Sequence, residues 1–175
     1  MEYTREMLEG LQTPCFVFDE AELQANFRGF SSALRQAWGS RSHVAYSVKT
    51  NPFPWVLEQA RRADCMAEVV SDEEFSLALS CGFPPSDVVF NGPVKGRAWL
   101  EYGLRAGALV NLDSARELRW VQELARAGVR GPSGAPLAVG VRVNVDLERA
   151  LPGQTIGGSE PGRFGFSHED GTAGS

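Results

Sequence analysis

Histidine is nearly missing from this 175-residue chain: only His43 and His168 occur, far apart and with no cysteine close to either. That argues against a structural zinc site, and no Ser-His-Asp set can be built from such spacing. Cysteine is scarce too. Cys15, Cys65 and Cys81 make an odd set without a C-x-x-C pair, which reads as reduced, mostly buried thiols rather than a disulfide frame. No apolar run approaches a membrane span, and the opening MEYTREMLEGLQ is acidic and polar, without an apolar signal core. Positive charge is in deficit, with a formal net charge of −5, so no basic surface for nucleic acid is expected. Together these absences predict a cytoplasmic protein that engages neither membrane nor nucleic acid.

What is present is ordinary globular material. Hydrophobic residues make up 43% and charged residues 22%, enough for a folded domain with a real core. After a polar start, PCFVFD (14–19) reads as a short β-type run. The stretch 20–38 follows as a helix, with Asp19 as N-cap and Leu23, Phe27, Phe30 and Leu34 at helical spacing. From residue 42 a regular alternation sets in. Strands are expected at 42–49, 66–71, 87–92, 108–113 and 136–146, and helices at 54–63, 72–82, 96–107 and 114–128. The second of these helices carries a capping box, Ser71 with Glu74, and a stop at Gly82. Such a rhythm means repeated βαβ units on a parallel sheet, and near-continuous apolar strands mean a sheet covered on both faces. Periodicity leaves two architectures open, an open doubly wound sheet or part of a (β/α)₈ barrel. The expected layout is an N-terminal strand and helix over 1–41, a βα body over 42–148, and a Gly/Ser-rich loop or disordered tail over 149–175.

Four charged positions stand out. Lys49 closes the run HVAYSVK just before Thr50-Asn51-Pro52, at the strand end where parallel α/β folds place their active groups. Either its head simply reaches water, or buried surroundings lower its pKa and its amine serves as a nucleophile. Alternation in MAEVVS puts Glu68 and Val70 on one face, so Glu68 needs a partner, which Lys49 or Arg142 could supply. Glu74 is explained by capping. Arg142 lies inside VGVRVNVD, where its guanidinium must meet a carboxylate, a phosphate or a cofactor oxygen. GQTIGG (153–158) lacks a phosphate-loop pattern and reads as a mobile loop. Lys95, in the turn NGPVKG, reads as solvated, and the four tryptophans read as packing.

In order along the chain, TPCFVFDEAELQANFRGF, VAYSVKTNP, AEVVSDEEFSLALSCGF, VVFNGPVKG, LVNLDSARELRWV, VGVRVNV and RFGF resemble successive segments of the fold-type III pyridoxal-phosphate decarboxylases, the diaminopimelate and ornithine decarboxylase group. The resemblance covers almost the whole chain. It implies an α/β fold: a partial TIM-type barrel of the alanine racemase-like kind, about five of eight βα units, without the C-terminal β-domain into which CFVFD would pair. It implies pyridoxal 5'-phosphate as cofactor, held by Lys49 as a Schiff base, with Ser47, Glu68, Glu74 and Arg142 lining or supporting it. The expected substrate is a basic or diamino acid, free or carrier-bound, and the expected partner is a second copy or a complementing C-terminal segment. The remaining site residues of the family lie beyond the last residue here, so this chain alone is expected to be inactive. Asp72-Glu73 and Gly162-Arg163 depart from the family pattern. The alternatives are a non-catalytic regulatory or binding subunit, an amino-acid racemase, from which KTNP points away, and a self-contained open α/β binding domain.

Overall fold

The computed structural model describes residues 9–145, 164–168, 171 and 173. Five strands, β1 (Ala45–Ser47), β2 (Met66–Val69), β3 (Val88–Phe90), β4 (Leu109–Leu112) and β5 (Val139–Val141), form one sheet in chain order, every neighbouring pair parallel. Helix α1 (Glu20–Trp38) precedes the sheet, and α2 (Pro54–Arg62), α3 (Asp72–Ser80), α4 (Arg97–Ala106) and α5 (Ala115–Arg126) connect its strands. Among the described residues the sheet stays open, with β1 and β5 as its edges. Two further short strands, β6 (Val143–Asn144) and β7 (Phe166–Ser167), pair in parallel beyond β5.

Local chemistry sets the helix starts. The Asp19 carboxylate accepts the Glu22 N–H at 2.9 Å, and the hydroxyls of Ser71 and Ser114 accept the N–H groups of Glu74 and Glu117. Each satisfies an amide that has no partner inside its helix. Pro54 opens α2, where its missing N–H does no harm.

The core lies on the helix-covered face. In β2, Ala67 and Val69 are fully buried while Glu68, and Val70 just past the strand, are half-buried on the opposite face, the period of two expected of a strand. Ala67 and Val69 pack in one cluster with Leu57, Ala60, Phe75, Ala78, Leu100 and Leu104 from the helices. Phe75 is its centre, with ring centroids 5.1 Å from Phe90, 5.3 Å from Trp99 and 6.0 Å from Tyr102.

Several expectations are corrected. The segment 14–19 is not a strand: it pairs with no other strand among the described residues, Phe16 is 93% exposed, and Phe18 lies against Phe53 and Trp55. β1 ends at Ser47, and Val48–Thr50 turn into a short 3-10 segment. The strand expected over 136–146 is broken at Arg142 into β5 and β6. Among the described residues the sheet is not covered on both faces: the core helices pack on one side and the other opens on a cavity. Phe30, although on the helical period of α1, is exposed, as is Trp38, so not every tryptophan packs. Cys15 is exposed, whereas Cys65 is buried, as expected of a structural thiol. GQTIGG and Gly162-Arg163 lie outside the described residues, as does most of 149–175.

Candidate active site

The polar side chains of the open face meet at the C-terminal ends of the strands. Parallel register places Ser47 beside Glu68, and the Ser47 hydroxyl donates to Glu68 Oε2 at 2.7 Å. Asn91, just past β3, donates from Nδ2 to Glu68 Oε1 at 3.0 Å, and Asn111 Nδ2 donates to Asn91 Oδ1 at 2.6 Å. A hydrogen-bonded row thus crosses four strands and ends on one carboxylate. Asn111 reaches across because its register partner is Gly140, where a Cβ would collide with the Asn111 side-chain oxygen.

Glu68, Asn91 and Asn111 of this row form one wall of a cavity of about 510 Å³, lined also by Lys49, Val70, Gly92, Pro93, Val141, Arg142 and Phe164. Lys49 enters it from the turn after β1 and is exposed, not buried as the nucleophile reading anticipated, because no strand faces β1 across the cavity among the described residues. Lysine occurs only at positions 49 and 95 in the whole chain. Lys95 has a fully buried side chain, so Lys49 is the one lysine with its amine open to this space.

Arg142, at the break between β5 and β6, does meet a carboxylate, as the sequence led one to expect. Its Nη1 donates to Asp113 Oδ2 at 2.9 Å, and its guanidinium lies 4.8 Å from the centroid of the Phe164 ring. Glu68 is a correction: its partners are the neutral donors Ser47 and Asn91, and among the described residues neither Lys49 nor Arg142 forms an ion pair with it. Glu74 stays outside the cavity lining. Its Oε2 accepts the Val70 N–H at 2.9 Å, so it supports a cavity residue while capping α3. Asp72, one of the departures from the family pattern, accepts the Gly96 N–H at 3.0 Å and ties α3 to the loop after β3.

Lys95 is the plainest reversal. Far from solvated, its Nζ donates to the Gly92 carbonyl at 2.6 Å and to Glu117 Oε2 at 3.2 Å. Burial pulls its pKa below the ordinary lysine value, while Glu117 works in the opposite direction. Asn91, Asn111, Asp113 and Glu117 were not singled out from sequence. Two of them have a local signal: Asp113 is an acid closing an apolar strand as Lys49 closes another, and Glu117 stands three residues after Ser114, the spacing of a capping box.

Gly92 is the hinge of this wall. It has φ +95°, and a Cβ on it would run into the Val70 carbonyl. Gly92→Ala should therefore cost about 2 kcal/mol or more, from the left-handed backbone and from displacement of the β2 end. A urea midpoint equal to that of the parent chain would show that this turn relaxes freely.

The cavity offers groups that can engage a small anionic molecule. It presents an accessible amine, a guanidinium already oriented, and a row of amide and carboxylate groups, in a volume typical of small-molecule sites. The family model described as the pyridoxal-binding domain of pyridoxal-dependent decarboxylases matches residues 20–174. The chain belongs to this family, whose cofactor is pyridoxal phosphate, and its open sheet is the N-terminal part of the family's TIM-type barrel. It is 31% identical over 159 residues to a diaminopimelate decarboxylase of Zymomonas mobilis, a match covering 90% of this chain and 37% of that protein. Identity is 32% over 158 residues to a probable chloroplastic diaminopimelate decarboxylase of Oryza sativa, covering 90% of this chain and 31% of that one. Among solved structures, diaminopimelate decarboxylase from M. jannaschii superposes with a TM-score of 0.72 at 25% identity, over 96% of this chain and 38% of that one. The chain therefore spans about two-fifths or less of the length of these relatives.

Proposed function

We propose that this chain is the cofactor-holding part of a pyridoxal-phosphate-dependent amino-acid decarboxylase acting on a basic or diamino acid, free or carrier-bound. The single observation that carries the reading is Lys49, the one lysine open to the polar cavity at the strand ends. Bound there, pyridoxal phosphate supplies an electron sink for the pair left behind when the α-carboxylate departs as CO₂. The Lys49 amine would anchor the cofactor's aldehyde carbon and, once displaced by the substrate amine, carry a proton on Nζ toward the substrate's α-carbon. Arg142 would hold an anionic group, and Glu68, steadied by Ser47 and Asn91, would accept from a polar or cationic group on the bound molecule. Relatives named as diaminopimelate decarboxylases support a diamino acid as substrate, and one solved relative, from Helicobacter pylori, is complexed with L-lysine. No helix among the described residues is long and apolar enough to cross a membrane. Cytoplasmic residence and a site completed by a second copy or by a C-terminal segment are parts of the same proposal.

The test is reduction with borohydride after adding pyridoxal phosphate, then intact mass and peptide mapping. One adduct on the Lys49 peptide, absent from Lys49→Ala, is expected. An adduct only on Lys95 or the chain's α-amine, or none, would remove the basis of the reading. CO₂ release from diaminopimelate by a longer protein carrying this segment, lost in the same variant, would then establish the reaction.

A further inference from the structure

A row of four charges runs back from the cavity wall, and the proposed chemistry calls directly on only one of them, Arg142. Lys95, in the loop after β3, and Glu117, in the first turn of α5, have side chains with 0% exposure. Glu117 Oε2 accepts from Lys95 Nζ and also from the Asp113 backbone N–H at 2.8 Å. Asp113, almost fully buried, accepts from Arg142 through Oδ2 and from the Gly165 N–H through Oδ1 at 2.7 Å. The signs run plus, minus, minus, plus through Lys95, Glu117, Asp113 and Arg142, the two acids being joined by the Asp113 backbone N–H, and the row reaches daylight only at the guanidinium, which lines the cavity.

Stability alone is a poor reason for this arrangement. A buried ion pair contributes little that an apolar pair of similar size would not, and the exposed end, with the Arg142 side chain 45% exposed, contributes less. What the row does provide is aim. Asp113 is fixed at its amide by Glu117 and at its carboxylate by Gly165, so the guanidinium it grips cannot swing freely. Glu117 Oε1, buried without a partner, shows that this carboxylate serves the Oε2 contacts at some expense to itself.

We infer that Asp113, locked from behind by the Lys95–Glu117 pair, is a positioning residue that holds the Arg142 guanidinium toward an anionic oxygen group of the cavity's ligand. The inference rests on the reading that this cavity takes pyridoxal phosphate and an amino acid. The shared chemistry is a phosphate or a carboxylate, so the experiment carries an arm for each.

The first readout needs no ligand. The Arg142 Nε–Hε signal in a ¹⁵N spectrum, identified by its loss in Arg142→Lys, should be sharp in the parent chain and broadened in Asp113→Asn and Glu117→Gln, with far-ultraviolet circular dichroism unchanged. The second is binding, followed by tryptophan fluorescence: pyridoxal phosphate against pyridoxal, and L-lysine against its decarboxylated diamine in the cofactor-loaded protein. In Asp113→Asn one probe should lose about tenfold in affinity while its counterpart without the anionic group stays within twofold. Glu117→Gln should move the same probe in the same direction, and Asp113→Glu should restore part of it. An unchanged Arg142 signal in Asp113→Asn, or equal losses for probes with and without the anionic group, would overturn the inference. A parent chain that takes up no probe sinks the cofactor reading instead, and the guanidinium signal still decides whether Asp113 and Glu117 aim Arg142.

Discussion

Lys95→Met is expected to destabilise this chain by about 3–5 kcal/mol, the loss seen when one member of a buried ion pair is removed and its partner stays behind uncompensated. Glu117 would keep only the Asp113 N–H on Oε2, with Oε1 still bare, in a place no solvent reaches. The Gly92 carbonyl would lose its donor as well. Against a typical domain stability of about 5–15 kcal/mol, this is a large fraction of the total. The informative partner experiment is the double variant Lys95→Met/Glu117→Leu, which removes both charges and should recover most of the loss. Urea unfolding of the four proteins measures the cycle. A single variant within 1 kcal/mol of the parent would mean that water reaches this pair in solution, and the row behind Arg142 would lose its rigidity with it.

Phe75→Ala should cost a comparable amount, about 3–5 kcal/mol, by a different route. Its ring is fully buried and touches Phe90, Trp99 and Tyr102, so it joins α3, β3 and α4 in one aromatic cluster. Truncation leaves a void between a sheet and two helices, and the neighbouring rings are too stiff to fill it. Phe75→Leu, which keeps most of the volume, should recover more than half of the loss. Equal losses for Ala and Leu would point to ring–ring geometry rather than volume as the source of the stability.

How legible these features are in the sequence differs from residue to residue. Ser71 and Glu74 announce the start of α3 because a cap involves neighbours three positions apart, and the structure keeps both contacts. Arg142 announces that it needs an anion but not which one, since Asp113 lies 29 positions away. Lys95 misleads outright: a lysine in a Gly/Pro turn reads as solvated, and only the packing of α5 over that turn buries it against a glutamate 22 positions on. PCFVFD misleads in the opposite sense, since β-type composition makes a strand only where a partner edge exists, and none reaches it among the described residues.

The sequence by itself determined the βα alternation, the capped helix starts and a lysine at the end of the first sheet strand, because each depends on periods and contacts within a few residues. The tertiary structure alone decided which side chains share the cavity and which charges answer one another. Ser47, Glu68, Asn91 and Asn111 become neighbours through parallel register, and Lys95, Glu117, Asp113 and Arg142 through the packing of loops on a helix end. Apart from the Glu117–Asp113 contact, four positions apart, those relations join residues 20 to 29 positions apart, and nothing in the local pattern of either member encodes the other.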